Sequence, residues 1–123
     1  MCGIVGLFLK DKALEPRLGE MLTDMLITMS DRGPDSAGIA VYAQDRDGLA
    51  KLTVQADDPS RFAGLGDEMS AALGCDVGLR IKDTHAVIEL PEARLADARA
   101  ALKDLRPDAR VMGAGEVIEI YKE

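Results

Sequence analysis

The succession of apolar periods after residue 48 constrains this chain more than anything else in it. Residues 49–56 read as a strand, with Leu52 and Val54 on one face. Asp58-Pro59 supplies an N-cap and then a proline at the first helical position, and Phe62, Leu65, Met69, Ala72 and Leu73 recur with the helical period as far as Gly74. Val77, Leu79 and Ile81 alternate as a strand, and residues 84–90 read as another. Pro91 opens a second helix whose apolar face is Leu95, Ala98, Leu102 and Leu105, and Pro107 ends it. Residues 110–112 and 116–121 are strand-like, with Gly113-Ala114-Gly115 expected as the turn between them. Strand, helix, strand, strand, helix, strand is the split-βαβ or ferredoxin-like pattern. Residues 47–123 are therefore expected to form such a subdomain, in contact with a partner subunit, shielding a site, or purely structural.

The first 46 residues have a different character. Ile4, Val5, Leu7, Phe8 and Leu9 make an apolar run of strand length, expected to be buried. A polar turn at Asp11-Lys12-Ala13 precedes a helix expected to start at Pro16. Leu18, Met21, Leu22, Met25, Leu26 and Met29 form its apolar stripe, expected to pack in a core. Gly33 and Pro34 stop the helix, and residues 37–43 follow as a second buried strand.

Composition excludes several classes of function. A net charge of −7 over 123 residues argues against nucleic acid and against anionic membrane surfaces, both of which need clustered Lys and Arg. No apolar run approaches membrane-spanning length and no signal peptide opens the sequence. The two cysteines, Cys2 and Cys75, give no disulfide framework, so a reducing, cytoplasmic setting is expected. The lone histidine, His85, lacks neighbours at metal-ligand spacing and reads as a surface or hydrogen-bonded strand residue; no metal and no cofactor are expected. Asp57, Asp58, Asp67 and Glu68 read as caps and solvated faces.

The residues that carry chemistry stand at the start. A small residue at position 2 lets an aminopeptidase remove Met1, leaving Cys2 with a thiol and a free α-amine a few bonds apart. The amine titrates near about 7.7–8.0 and the thiol near about 8.5, so at neutral pH the amine can take the thiol proton. A terminal amine acting as base for its own residue's nucleophile is an established form of activation. The alternative is that Met-Cys-Gly simply begins a buried strand, with Cys2 packing as a small hydrophobe.

Met-Cys-Gly-Ile-Val-Gly, a Met/Leu helix, and then Arg-Gly-Pro-Asp-Ser-Ala-Gly leading into a strand resemble the class II glutamine amidotransferases, which are amino-terminal-nucleophile (Ntn) hydrolases. Within that group the likeness is to the small amidotransferase-like subunit of glutamate-synthase-like and N-methylglutamate-synthase-type systems. The resemblance implies an α+β fold, here a partial αββα layer over residues 1–46 with the ferredoxin-like βαββαβ subdomain inserted. It implies that Cys2 attacks the side-chain amide of glutamine, forms a glutamyl thioester and releases ammonia to a synthase partner. Arg32 then either organises the nucleophile's surroundings or ties down its loop through Asp35 or backbone carbonyls, while Gly33 and Gly38 serve backbone geometry. The family's Thr-Arg strand, Asn-Gly pair and later Asp have no counterpart, and the chain contains no Asn at all. The chain is thus expected to be the amino-terminal part of a larger protein. Alone it is expected to hydrolyse glutamine poorly, and to associate through an open sheet edge. The alternative function is a non-catalytic scaffold for subunit assembly or small-molecule binding.

Overall fold

The computed structural model describes residues 3–32, 36–42 and 47–122. It is a mixed α+β structure in which three α-helices accompany two antiparallel sheets among the described residues. The chain divides into two compact units, Met1–Ala37 with Glu123, and Gly38–Lys122.

In the first unit, residues 3–9 are not a strand. Ile4 and Phe8 are 95% and 85% exposed, and Val5, Leu7 and Leu9 only half-buried. The side chains alternate as β-formers do, but no described strand pairs with them, and without a ladder an extended segment is not a strand. Pro16 lies inside a 3-10 helix, Lys12–Arg17, and the α-helix begins later, as α1 (Leu18–Ile27). Asp11 caps the 3-10 helix by accepting from the Ala13 amide at 2.9 Å. The expected stripe from Leu18 to Met29 does share one face, yet every member is half-buried and none is a core residue.

The second unit is built on strands β1 (Gly38–Tyr42), β2 (Leu49–Gln55), β3 (Gly78–Lys82), β4 (His85–Pro91), β5 (Arg110–Gly115) and β6 (Ile118–Lys122). Its helices are α2 (Leu65–Leu73) and α3 (Leu95–Leu105). Four strands form one sheet in the order β3-β4-β2-β5, every neighbouring pair antiparallel. Each βαβ half thus has the other half's strand between its own two, which is the split-βαβ arrangement. The helices cover one face. Leu52, Val54, Ile88 and Leu90 from the sheet meet Phe62, Leu65, Met69, Ala98 and Leu102 in a single core. Each such aliphatic side chain contributes about 1.5–3 kcal/mol on burial.

Local chemistry sets the ends of these elements. Asp58 caps the 3-10 turn Pro59–Phe62 by accepting from the Ser60 amide at 2.9 Å, and α2 follows after Gly64 instead of continuing from Pro59. Gly74, at φ 64°, terminates α2, its N–H donating to the Ser70 carbonyl at 2.9 Å. Pro91 ends β4, and a 3-10 turn, Glu92–Arg94, leads into α3.

The second sheet pairs β1 with β6, and it lies over the face of the four-stranded sheet away from the helices. β1 was expected to be buried; its side chains alternate between exposed and half-buried, and Tyr42 is 71% exposed. A further difference concerns Gly113-Ala114-Gly115, which continue β5, the turn falling at Glu116 and Val117 instead. The missing side chain at Gly113 explains this. A Cβ there would lie 2.8 Å from Ile120 Cδ1 and 3.1 Å from Cγ1, so the glycine lets β6 fold back onto β5. Next to it the β2–β5 register slips between Thr53 and Val54, leaving Met112 as the extra residue of a bulge.

Candidate functional site

Of the residues the sequence nominates, Cys2, Gly33 and Asp35 lie outside the described residues, and Arg32 lies within them. Its position follows from how α1 ends. The last turn of a helix leaves carbonyls without intrahelical donors. Here the Ser30 hydroxyl donates to the Ile27 carbonyl and the Thr28 hydroxyl to the Met25 carbonyl, both at 2.7 Å. The chain then tightens into a 3-10 turn, Ser30–Arg32, in which the Arg32 amide donates to the Met29 carbonyl at 2.9 Å. The Arg32 residue is exposed.

Gly3, the residue after Cys2 in sequence, packs against this turn. A methyl group placed on it would stand 3.7 Å from both Cβ and Cδ of Arg32 and would overlap the terminal methyl of Met29. The start of the chain and the end of α1 thus meet at residues 3, 29 and 32. Residue 3 lies so close to Met29 that an added methyl would displace the flexible end of that side chain.

A second constellation lies among residues that no sequence motif nominates. On the sheet face away from the helices, Lys51 of β2 and Glu119 of β6 form a buried ion pair of 2.8 Å, each side chain only 7% exposed. The same Glu119 oxygen accepts from Arg80 of β3 at 2.6 Å, and its other oxygen accepts from the Tyr121 hydroxyl at 2.8 Å. Burial pushes the Glu119 carboxyl up, but the bonds from Lys51, Tyr121 and Arg80 outweigh it and hold the group down at about 2. Burial and then the bond to Glu119 push the Tyr121 hydroxyl up to about 12. Glu119 therefore stays ionised and saturated with donors, an anchor between the two sheets and not an acid–base group. The signal available in sequence was a lone Lys among the leading residues of β2 and a lone Glu between two isoleucines in β6.

His85 is buried beside this cluster and not on the surface, and the hydrogen-bonded reading is the one the structure bears out. Its Nε2 accepts from the Lys122 amide at 3.1 Å, its Nδ1 lies 3.1 Å from the Thr84 hydroxyl, and its ring tilts against Tyr121 with centroids 5.5 Å apart. Among the described residues no group of three or more His, Cys, Asp or Glu could hold a metal ion. Asp58 is a cap, its carboxyl lowered first by the Ser60 backbone hydrogen bond, and Glu68 is ion-paired with Arg106 at 2.8 Å. Asp57 pairs with Arg110, and Cys75 is a free, half-buried thiol. No described helix is long and apolar enough to cross a membrane.

Comparison with known proteins concerns the chain as a whole. No family model matches the chain, and no solved structure matches it. It is 56% identical over 124 residues to the glutamine amidotransferase-like protein GlxB of Rhizobium meliloti (strain 1021), an alignment covering 100% of this chain and 41% of that protein. A protein of Methanothermobacter thermautotrophicus, provisionally named glutamine amidotransferase, is 32% identical over 93 residues, or 71% of this chain and 30% of the relative. The chain thus spans about two fifths or less of the length of these relatives. Similarity along the whole chain to a protein with an amidotransferase-like name supports an amidotransferase-like family for it.

Proposed function

We propose that this chain carries the nucleophile-bearing part of a class II glutamine amidotransferase, with Cys2 as nucleophile and its own α-amine as base. After removal of Met1, the amine takes the thiol proton and the sulfur attacks the side-chain amide carbon of glutamine. The carbon–nitrogen bond of the resulting tetrahedral intermediate breaks as the ammonium returns its proton to the departing nitrogen, giving ammonia and a glutamyl thioester. Water then adds to the thioester, the amine again relaying the proton, and glutamate leaves. Arg32, Gly33 and Asp35 shape the loop beside the nucleophile, and the ammonia passes to a synthase subunit or domain. The complete fold is the αββα layering of Ntn hydrolases, working in the cytoplasm.

The observation that carries this reading is the packing of Gly3 on Met29 and Arg32. It ties the residue following the nucleophile to the turn in which the Arg-Gly-Pro-Asp motif begins. The amidotransferase-like name of the relative matched along the whole chain supports the same role.

Two measurements test it. Intact mass spectrometry of the protein made in cells should show a chain lacking Met1, because retained methionine would convert the amine into an amide and remove the base. Incubation with the glutamine-analogue electrophile diazo-oxo-norleucine should then add one adduct, mapped to Cys2 and absent from Cys2→Ala. Retained Met1 together with no adduct would overturn the catalytic reading in favour of a scaffold.

A further inference from the structure

The β1–β6 ribbon is held on the four-stranded sheet by side chains, not by a backbone ladder, and one of those side chains can change its hydrogen-bonding role with a proton. Among the described residues the polar attachments are the ion pairs of Lys51 and Arg80 with Glu119, the Ile120 amide donating to the Thr53 hydroxyl at 3.4 Å, and the Lys122 amide donating to His85 Nε2 at 3.1 Å. Only an unprotonated Nε2 can accept, so the neutral ring carries its hydrogen on Nδ1 and donates it to the Thr84 hydroxyl 3.1 Å away. Protonation would set an N–H against the Lys122 N–H, two donors face to face in a site where the residue is 4% exposed.

We propose that His85 is a proton-operated latch: neutral, it fastens the β1–β6 ribbon to the sheet, and protonated, it releases the end of β6. The charged groups around the ring are largely paired with one another: Lys51 and Arg80 with Glu119, and Arg110 with Asp57, while Asp83 sits in the turn two residues before His85. Lys82 of β3 is the register partner of His85, and Arg80 stands two residues away on the same strand. Lys51 lies on β2 beyond the uncharged partner Gln55, and Arg110 of β5 is the register partner of that Gln55. β6 brings Lys122, Tyr121 and Glu119; on β4 itself the ionisable neighbour is Glu89. The Glu119 carboxylate is already engaged by three donors and does not turn to the imidazole. With Glu119 held at about 2 and Tyr121 at about 12, neither titrates between pH 5.5 and 7.5. In sequence Ser36 and Ala37 separate β1 from the Arg32–Asp35 stretch, and the latch does not depend on the catalytic reading.

The test is amide hydrogen exchange of the whole chain at pH 7.5 and 5.5, each rate divided by the intrinsic rate at that pH. Protection at Ile120, Tyr121 and Lys122 should fall about tenfold or more at pH 5.5, as expected when a buried donor loses its acceptor. Val54 and Ile88, in the middle of the four-stranded sheet, should keep theirs. His85→Gln supplies a carbonyl oxygen that accepts but does not titrate, and its β6 protection should not change with pH. Flat β6 protection in the unaltered protein would overturn the latch, as would a parallel loss at Val54 and Ile88, or a pH response that survives in His85→Gln. Should that variant fail to fold, the ring nitrogen shifts of the unaltered protein at pH 7.5 decide: the Nδ1–H tautomer is expected, and the Nε2–H tautomer refutes the proposal.

Discussion

Replacing Glu119 by alanine should be among the most damaging changes available to the second unit. The carboxylate is the shared acceptor for Lys51, Arg80 and Tyr121, and the Lys51 side chain is only 7% exposed. Removing one partner of a buried ion pair costs about 3–5 kcal/mol, since the remaining charge is left uncompensated. Arg80, with half its side chain in solvent, adds little to that figure. Domains of this size have only about 5–15 kcal/mol to lose. With a urea slope of about 2 kcal/mol per molar, the midpoint followed by far-ultraviolet circular dichroism should drop by about 2 M. Lys51→Met combined with Glu119→Leu should recover most of the loss, because the desolvation cost disappears along with the pair. Acid provides the matching check. The folded carboxyl sits near 2 against an ordinary 4.5, so its contribution is fully present above about pH 4.5 and is lost as pH falls toward 2. That part of the acid slope should vanish in Glu119→Gln. A loss below about 1 kcal/mol in Glu119→Ala, with an unchanged acid slope in Glu119→Gln, would refute the idea that this carboxylate fastens one sheet to the other.

Two further substitutions probe the packing. Gly113→Ala forces a methyl against the branched end of Ile120 and should cost about 1–3 kcal/mol in urea unfolding, whereas Gly3→Ala meets only the mobile tip of Met29 and should be close to neutral. Leu102→Ala, in the core between α3 and the sheet, should cost about 2–5 kcal/mol, and Met21→Ala on the half-buried face of α1 under about 1 kcal/mol.

What could be read from the sequence was whatever repeats locally. The helical spacing of Leu65, Met69 and Leu73, the apolar stretch of β4, and the Asp58-Pro59 and Gly74 signals all rest on neighbours a few residues apart, and the corresponding elements formed. Distant partners were not legible. Ile4 to Leu9 has the composition of a strand, but strand formation depends on a ladder from elsewhere in the chain. Gly113 and Gly115 look like a turn because the side chains that need their space, Ile120 and Ile118, belong to another strand. Lys51, Thr53 and His85 point where alternation would place solvent, and only the fold reveals that β6 covers them. As to the site, Arg32 is placed by the end of α1, an event local enough to anticipate. The meeting of Gly3 with Met29 and Arg32 spans nearly thirty residues and leaves no periodic trace.

One edge of the four-stranded sheet carries its own deterrent to aggregation. β3 pairs with β4 on one side only, so among the described residues its other side offers free amides and carbonyls to any passing strand. An antiparallel encounter of two copies centred on Ile81 would set Arg80 opposite Lys82, and one centred on Arg80 would set that guanidinium opposite its twin. Like charges directly across a ladder repel, and five residues of contact give little to offset the repulsion. This margin therefore discourages growth by stacking of identical chains while staying open to a strand of acidic character.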